Sequence, residues 1–286
     1  MKLLSWNIQW CRGVDGRVDP ERIAREARAM ADADVICLQE VARGFDTLAG
    51  SHGEDQFALL ASAFPGYTAI EGIGVDVPGQ GGGSAMRRHF GNLLLSRLPL
   101  RQVWRHLLPW PADAARADMQ RMAIEAVIDA PDIGGFRVTT THLAYYAAAQ
   151  RLAQVDALRA LHAQAQGHRR PPELPDTSQG PFHWRPRPGA GIVTGDFNCE
   201  PGSPGHARML APFDDGTPAL CDAWQVTRPG QPHAATVGLY DTVQWPRAFA
   251  CDFVFVSADL APRITGFEVD HASNASDHQA VVLTLG

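Results

Sequence analysis

Apolar residues fall along this chain in short runs rather than in long amphipathic stretches. The runs at 3–9, 35–41, 91–96, 124–128, 136–143, 191–197, 253–257 and 280–285 are continuous or alternate with period two, which predicts strands buried on one or both faces. Helical spacing falls between them. Asp19 followed by Pro20 is an N-cap and first-turn signature, and "ERIAREARAMADA" continues it. Residues 56–64 predict a short helix stopped by Pro65-Gly66. Residues 147–166 predict the clearest helix, with Leu152, Val155, Leu158 and Leu161 on one apolar stripe. Many strands, few helices, and strand runs that follow one another directly predict an α/β fold of two mixed β-sheets packed face to face, with helices outside. No repeat or linker separates two cores, so residues 1–286 are expected to form a single domain.

Three segments break the pattern. "GIGVDVPGQGGGS" (72–84) is glycine-rich, "HRRPPELPDTSQGPFHWRPRPGAG" (168–191) is rich in proline and arginine, and "TRPGQPHAATVGLYDTVQWPRAF" (227–249) mixes both with aromatics. Long loops inside compact domains usually carry function, so all three are expected to border a site. The glycine run lacks the G-K-[ST] ending of a phosphate loop.

Composition narrows the setting. The chain has 286 residues, 45% hydrophobic and 20% charged, with a formal charge of −6, and Lys2 is its only lysine. An acidic total argues against gripping long stretches of duplex by charge alone. Cys11, Cys37, Cys199, Cys221 and Cys251 show no C-x-x-C spacing, which favours reduced thiols and a cytoplasmic address. "MKLLSWNIQ" lacks a signal peptide's apolar core, and no run approaches the ~20 apolar residues of a membrane span. Neither stable membrane association nor a protein partner is expected.

The chemistry is legible in polar residues placed where strands end. Asn7 interrupts "LLSWNIQ", Glu40 ends "VICLQE", and His142 ends "FRVTTTH". Asp196 and Asn198 end "GIVTGDFN", Asp252 opens "DFVFVS", and Asp277-His278 precede the last strand. Singly, each has a structural explanation: a bulge for Asn7, a core histidine for His142, turn caps for Asp196 and Asn198. A buried carboxylate without a partner costs several kcal/mol, so together these residues imply one shared site at an edge of the sheets.

At this point the chain resembles the endonuclease/exonuclease/phosphatase family, metal-dependent hydrolases with the DNase I-like four-layer α/β sandwich. "LLSWNIQ", "DADVICLQEV", "GNLLLSRLPL", "TTHLA", "IVTGDFNCEPGS" and "SDHQAVVLTL" are similar to the family's motifs, in order and across nearly the whole chain. The resemblance implies a divalent cation, Mg²⁺ or Mn²⁺, held by Glu40 with Asn7 and Asp277. It implies that Asp196 activates the attacking water and that Asn198 holds that water or a phosphate oxygen. His278 and His142 would contact the scissile phosphate, with Asp252 orienting His278. Members often carry arginine before that aspartate, as in R-I-D-Y. Here the run is "FACDFVF", which leaves Asp241 in "LYDTV" as a competitor for the orienting role.

The implied activity is a phosphodiesterase or nuclease acting on nucleic-acid or nucleotide-like esters. The alternatives are a phosphatase or sphingomyelinase-type hydrolase of a lipid or sugar phosphate, and a non-catalytic binding module on the same fold. Arg121, His183, Trp184 and Arg185 are candidate substrate contacts, with Arg187 beside them and Arg87, Arg88 and His89 as a further basic stretch.

Overall fold

The structure, a computed structural model, describes residues 1–79, 87–171, 173 and 180–286. The glycine run therefore lies mostly outside the described residues. Twelve named strands make two six-stranded sheets. The first runs β11 (Ile264–Val269), β12 (Val281–Leu285), β1 (Lys2–Asn7), β2 (Val35–Arg43), β4 (Arg87–Ser96), β3 (Thr68–Pro78). The second runs β5 (Leu100–Leu107), β6 (Met122–Ala130), β7 (Gly134–His142), β8 (Gly191–Asp196), β10 (Asp252–Ser257), β9 (Leu220–Asp222).

Each sheet holds one parallel pair, β1 with β2 and β7 with β8, and the other pairings are antiparallel. A parallel pair needs a long crossover. Helix α1 (Pro20–Met30) supplies the first and α3 (Ala148–Gly167) the second. Asp19 caps α1 as its sequence predicts, accepting from the Arg22 N–H at 2.8 Å.

The sheets meet face to face over Leu3, Val35 and Leu94 from one side and Ile124, Val138, Ile192 and Val254 from the other. Ile23 and Ala27 of α1, with Phe57 and Leu60 of α2 (Gln56–Ala63), cover the outer face of the first sheet. Val155 and Leu158 of α3, with Met209 of α4 (Pro204–Leu210), cover the second. The result is the four-layer α/β sandwich. Strands buried on both faces have no polar side to alternate with, which is why their runs are continuous.

The apolar stripe of α3 needs correction. Leu152 is exposed, and the helix turns Gln150, Gln154, Arg159 and His162 inward. These polar groups hold loop carbonyls. Gln150 and Gln154 donate to Pro111 and Pro109, and Arg159 donates to Met209, Ala211 and Pro212. A helix that pins coil segments must offer donors, because the carbonyls of those segments are otherwise buried without partners.

Arg187 also departs from expectation. It forks onto buried Glu125 with Nε–Oε1 at 2.8 Å and Nη2–Oε2 at 2.6 Å, while His106 and Arg137 approach the same carboxylate. Burial pushes the Glu125 carboxyl up, but these bonds and charges outweigh it and hold the group at about 2. Arg137 and His106 would still face Glu125, but loss of the two charge-assisted bonds from Arg187 is expected to make Arg187→Ala cost about 2 kcal/mol. Urea denaturation reads this, and turnover should not change. Lost turnover at unchanged stability would restore the phosphate-binding role.

Candidate active site

The topology brings the polar strand ends to one edge. Parallel β1, β2, β7 and β8 run toward it, and antiparallel β10 and β12 start from it. Across the second sheet, His142, Asp196 and Asp252 stand side by side in register.

Local backbone then aims the side chains. Pairing of β2 with β4 slips between Leu38 and Val41, and inside this irregularity Glu40 adopts φ 60°. Bulges of this kind re-aim a side chain. Gly195 precedes Asp196 at φ 137°, and a Cβ there would lie 1.9 Å from the Thr141 carbonyl oxygen. Only glycine fits this position. Asn198 is left-handed at φ 49°, as are Gln9, Trp10 and Cys11 in the turn after β1. Non-glycine residues held this way cluster at functional sites.

Asn7 links the two sheets. Its Nδ2 donates to Glu40 Oε1 at 3.1 Å and to Asp196 Oδ2 at 2.9 Å, and its Oδ1 accepts from the Gln9 N–H. His142 Nε2 lies 3.4 Å from Asp196 Oδ2 and 3.8 Å from Glu40 Oε1. Asp196 Oδ1 accepts from the Asn198 N–H, and Asn198 Nδ2 donates to the Leu143 carbonyl.

His278 Nδ1 is 2.9 Å from Asp252 Oδ2, and its Nε2 lies 3.8 Å from Asp196 Oδ2. Asp241 instead caps a turn, accepting from the Val243 and Gln244 N–H groups. The contact to His278 therefore falls to Asp252. In place of the family's arginine and isoleucine, buried Cys251 sets its Sγ 3.5 Å from Asp252 Oδ2, and Arg247 pairs with Glu200.

The segment carrying His278 is fixed through its main chain. The Trp6 indole donates to the His278 carbonyl at 2.9 Å, and the His278 N–H donates to Ser276 Oγ. Val237 bridges to both Phe249 and His278, so the 227–249 loop clips onto the site. From that loop Gln244 and Trp245 both donate to Asp277 Oδ2, at 2.9 and 3.0 Å.

Glu40, His142, Asp196, Asn198, Asp277 and His278 line a cleft of about 430 Å³, and Gln9, Gln244, Trp245, Arg121, Trp10, Tyr145 and Tyr146 complete it. Arg121 is buried. Its Nη2 donates to Asp118, while Nε and Nη1 have no partner among the described residues.

Crowded carboxylates set the electrostatics. Burial, then the charge of Asp277, pushes the Glu40 carboxyl up to about 7. Burial also raises Asp196 to about 6, with Asp252 adding and His278 opposing. Burial, with Arg121 and His278, lowers His142 well below its ordinary value, so it is a neutral imidazole. Burial would lower His278 too, but Asp252, Asp277 and Asp196 outweigh it and the ring is an imidazolium.

Glu40 and Asp277 offer only oxygen donors, and Asn7 turns its Nδ2 to Glu40 and its Oδ1 to the Gln9 N–H. That donor set fits a hard divalent ion. A second cluster does not. His206 and His233 both set Nε2 on Asp222 Oδ2, at 2.9 and 2.6 Å, but the Gly202 N–H points at His206 Nδ1. Nδ1 must therefore accept, and Nε2 keeps its proton for Asp222 instead of a lone pair for a metal.

His183, Trp184 and Arg185 do not join the cleft. They stand beside Arg101, Asp129 and Gly135, where β6 turns into β7, at the opposite end of that hairpin from His142. The loop leaves α3 and enters β8 at its starting end, so its position in the chain sends it away from the site. Arg87 and His89 pair with Asp76, and Arg88 donates to the Pro78 carbonyl. Gln9, Trp10, Tyr145, Tyr146, Gln244 and Trp245 line the cleft without having been singled out individually. The "LAYY" after the histidine motif and the aromatics of 227–249 were the available signals.

Residues 4–278 match the Endonuclease/Exonuclease/phosphatase family, and the chain belongs to it. Its fold is similar to that of an endonuclease/exonuclease/phosphatase from Beutenbergia cavernae (25% identity, 100% of this chain and 72% of that one, TM-score 0.69). It is also similar to a mannosyl-6-phosphatase of Bacteroides thetaiotaomicron (18% identity, 100% and 99%, TM-score 0.66). The human Nocturnin catalytic domain matches too (20% identity, 100% and 93%, TM-score 0.60). Below 25% identity these likenesses speak for the fold alone. No curated protein matches in sequence. Among the described residues no helix is long and apolar enough to cross a membrane.

Proposed function

We propose that residues 1–286 act as one domain, a divalent-metal-dependent phosphodiesterase that hydrolyses nucleic-acid or nucleotide-like esters by in-line attack of water. The observation that carries this is the position of Asp196. It accepts from Asn7 of the opposite sheet and faces one neutral and one charged imidazole across an open cleft.

Asp196, ionised at pH 7, orients the water and takes its proton. His278, charged and held at Nδ1 by Asp252, donates from Nε2 to the phosphate or leaving oxygen. Arg121 and the second amide hydrogen of Asn198 bind phosphate oxygens, and His142 orders the carboxylates around them. Glu40 and Asp277, with Asn7, would hold Mg²⁺ or Mn²⁺, which when bound polarises a phosphoryl oxygen and offsets leaving-group charge. The five free cysteines support a reducing, cytoplasmic setting.

The test compares bis(4-nitrophenyl) phosphate with 4-nitrophenyl phosphate, each with Mg²⁺ and Mn²⁺. Cleavage of the diester is expected. Cleavage of the monoester alone would replace this function with a phosphatase.

The pH dependence has a defined sign. Glu40 and Asp196 have folded-state values above their unfolded ones, so their contribution to stability is present at low pH and is lost as pH rises toward about 7. His278, also raised, acts in the same direction. Lowered His142 and His162 act the opposite way until pH passes the ordinary histidine range, so metal-free protein should lose thermal stability above about pH 6.5. Stabilisation by Mg²⁺ should grow from pH 5 to 8, because protons compete for Glu40 below about 7. Melting curves with and without Mg²⁺ check both slopes, and a pH-independent metal shift would contradict the ligand assignment.

A further inference from the structure

The cleft has a charged floor and an aromatic wall, and the mechanism uses only the floor. Tyr145 and Tyr146 are 45% and 58% exposed, in T-shaped contact with ring centroids 4.9 Å apart and planes at 82°. Tyr145 also meets Trp245 edge-on at 5.8 Å, and Trp245 meets His278 at 5.7 Å, which makes the wall continuous with the reacting centre.

The main chain beneath this wall is pinned. Gln154 accepts from the Ala144 N–H, Arg151 donates to the Ala144 and Tyr145 carbonyls, and Asn198 donates to the Leu143 carbonyl. Exposed rings on a fixed backbone lose little further freedom when a ligand covers them, and each tyrosine adds a hydroxyl that can read a polar edge.

Charge limits what else the substrate carries. Among the described residues Arg121 is the one arginine lining the cleft, against three carboxylates. Arg116 lies over the Tyr146 ring, and Arg151 is committed to carbonyls. Beyond Arg121 and His278, which the reacting phosphate takes, the described residues offer a further phosphate only Arg116, held over the Tyr146 ring.

We infer that Tyr145 and Tyr146 form a stacking corner that determines specificity, and that the substrate is compact: one phosphate joined to one planar, nucleobase-like group. The inference rests on the phosphodiesterase reading and narrows it from polynucleotide to nucleotide-sized esters. Two rings at right angles receive a flat plate on one face while the second ring's edge meets its rim. An alkyl chain gains nothing from that geometry beyond its area.

The test measures binding by calorimetry, in Mg²⁺, of thymidine 5′-monophosphate, methyl phosphate and octyl phosphate. Wild type should bind the nucleotide about 10- to 100-fold more tightly than methyl phosphate, the scale of one base–aromatic stack. Tyr145→Ala/Tyr146→Ala should collapse that ratio, whereas Tyr145→Phe/Tyr146→Phe should retain most of it. A ratio near one in wild type, a ratio that survives the double alanine variant, or octyl phosphate binding most tightly would overturn the inference. Turnover of the 4-nitrophenyl esters of the same three groups separates the two failures. Hydrolysis without nucleotide preference removes this inference alone, and nucleotide preference without hydrolysis removes the proposed chemistry alone.

Discussion

Replacing His278 with alanine is expected to lower kcat by about 10³-fold, with the melting temperature little changed. General acid–base groups contribute on the order of 10² to 10⁴, and this histidine would combine proton donation with charge on the phosphate. The fold should survive because the residue's structural contacts belong to its main chain: the carbonyl that accepts from Trp6 and the N–H that donates to Ser276. Asp252 loses its imidazole partner, and His278→Ala/Asp252→Asn controls for that loss. Asp196→Asn keeps the shape and the Asn198 contact but removes the base, and it should fall by a similar factor. Full activity in either variant would sink the mechanism.

Chelation with EDTA should abolish turnover, and added Mg²⁺ or Mn²⁺ should restore it. Glu40→Gln should reproduce the loss in part, weakening metal affinity and lowering kcat on the order of 10³-fold, since a bound ion supplies several kcal/mol to the transition state. The substitution also removes a half-buried carboxyl whose ionisation is disfavoured, so the metal-free variant should be no less stable than wild type. Activity that survives exhaustive chelation would remove the metal from the scheme. Calorimetric titration of Mg²⁺ into Glu40→Gln separates loss of binding from loss of chemistry.

What could be read from the sequence divides along the sheets themselves. The eight strand runs legible as apolar stretches are the interior strands β1, β2, β4, β6, β7, β8, β10 and β12. The four that were not, β3, β5, β9 and β11, are the four sheet edges. Edge strands such as "LRQVWRHL" face solvent and carry charge, so the apolar signal is weakest there. Part of β3 reads as loop in sequence because Gly72 and Gly74 interrupt it.

The polar strand ends were legible for the converse reason. A carboxylate or imidazole beside a buried run has no bland explanation that serves Asn7, Glu40, His142, Asp196, Asn198, Asp252, Asp277 and His278 together, and the structure brings all eight to one edge. What stayed hidden depends on where loops go. Gln244 and Trp245 reach the cleft because Val237 pairs with His278, while "FHWRPR" is carried to the far end by α3. Arginine count misled at Arg187, since a guanidinium that balances a buried glutamate looks in sequence like one waiting for phosphate.

The hydrogen bond from Asn7 to Asp196 joins residues whose strands belong to different sheets. The proposed base, Asp196, and the proposed cation ligands, Glu40 and Asp277, are thus mounted on two separate plates, and the thickness of the apolar filling between them sets their spacing. Leu94, Ile124 and Val254 are buried in the core between the sheets, and there they act as shims for the cleft. Selection on turnover would therefore reach into the middle of this protein, holding side-chain volume there to a finer tolerance than folding alone requires.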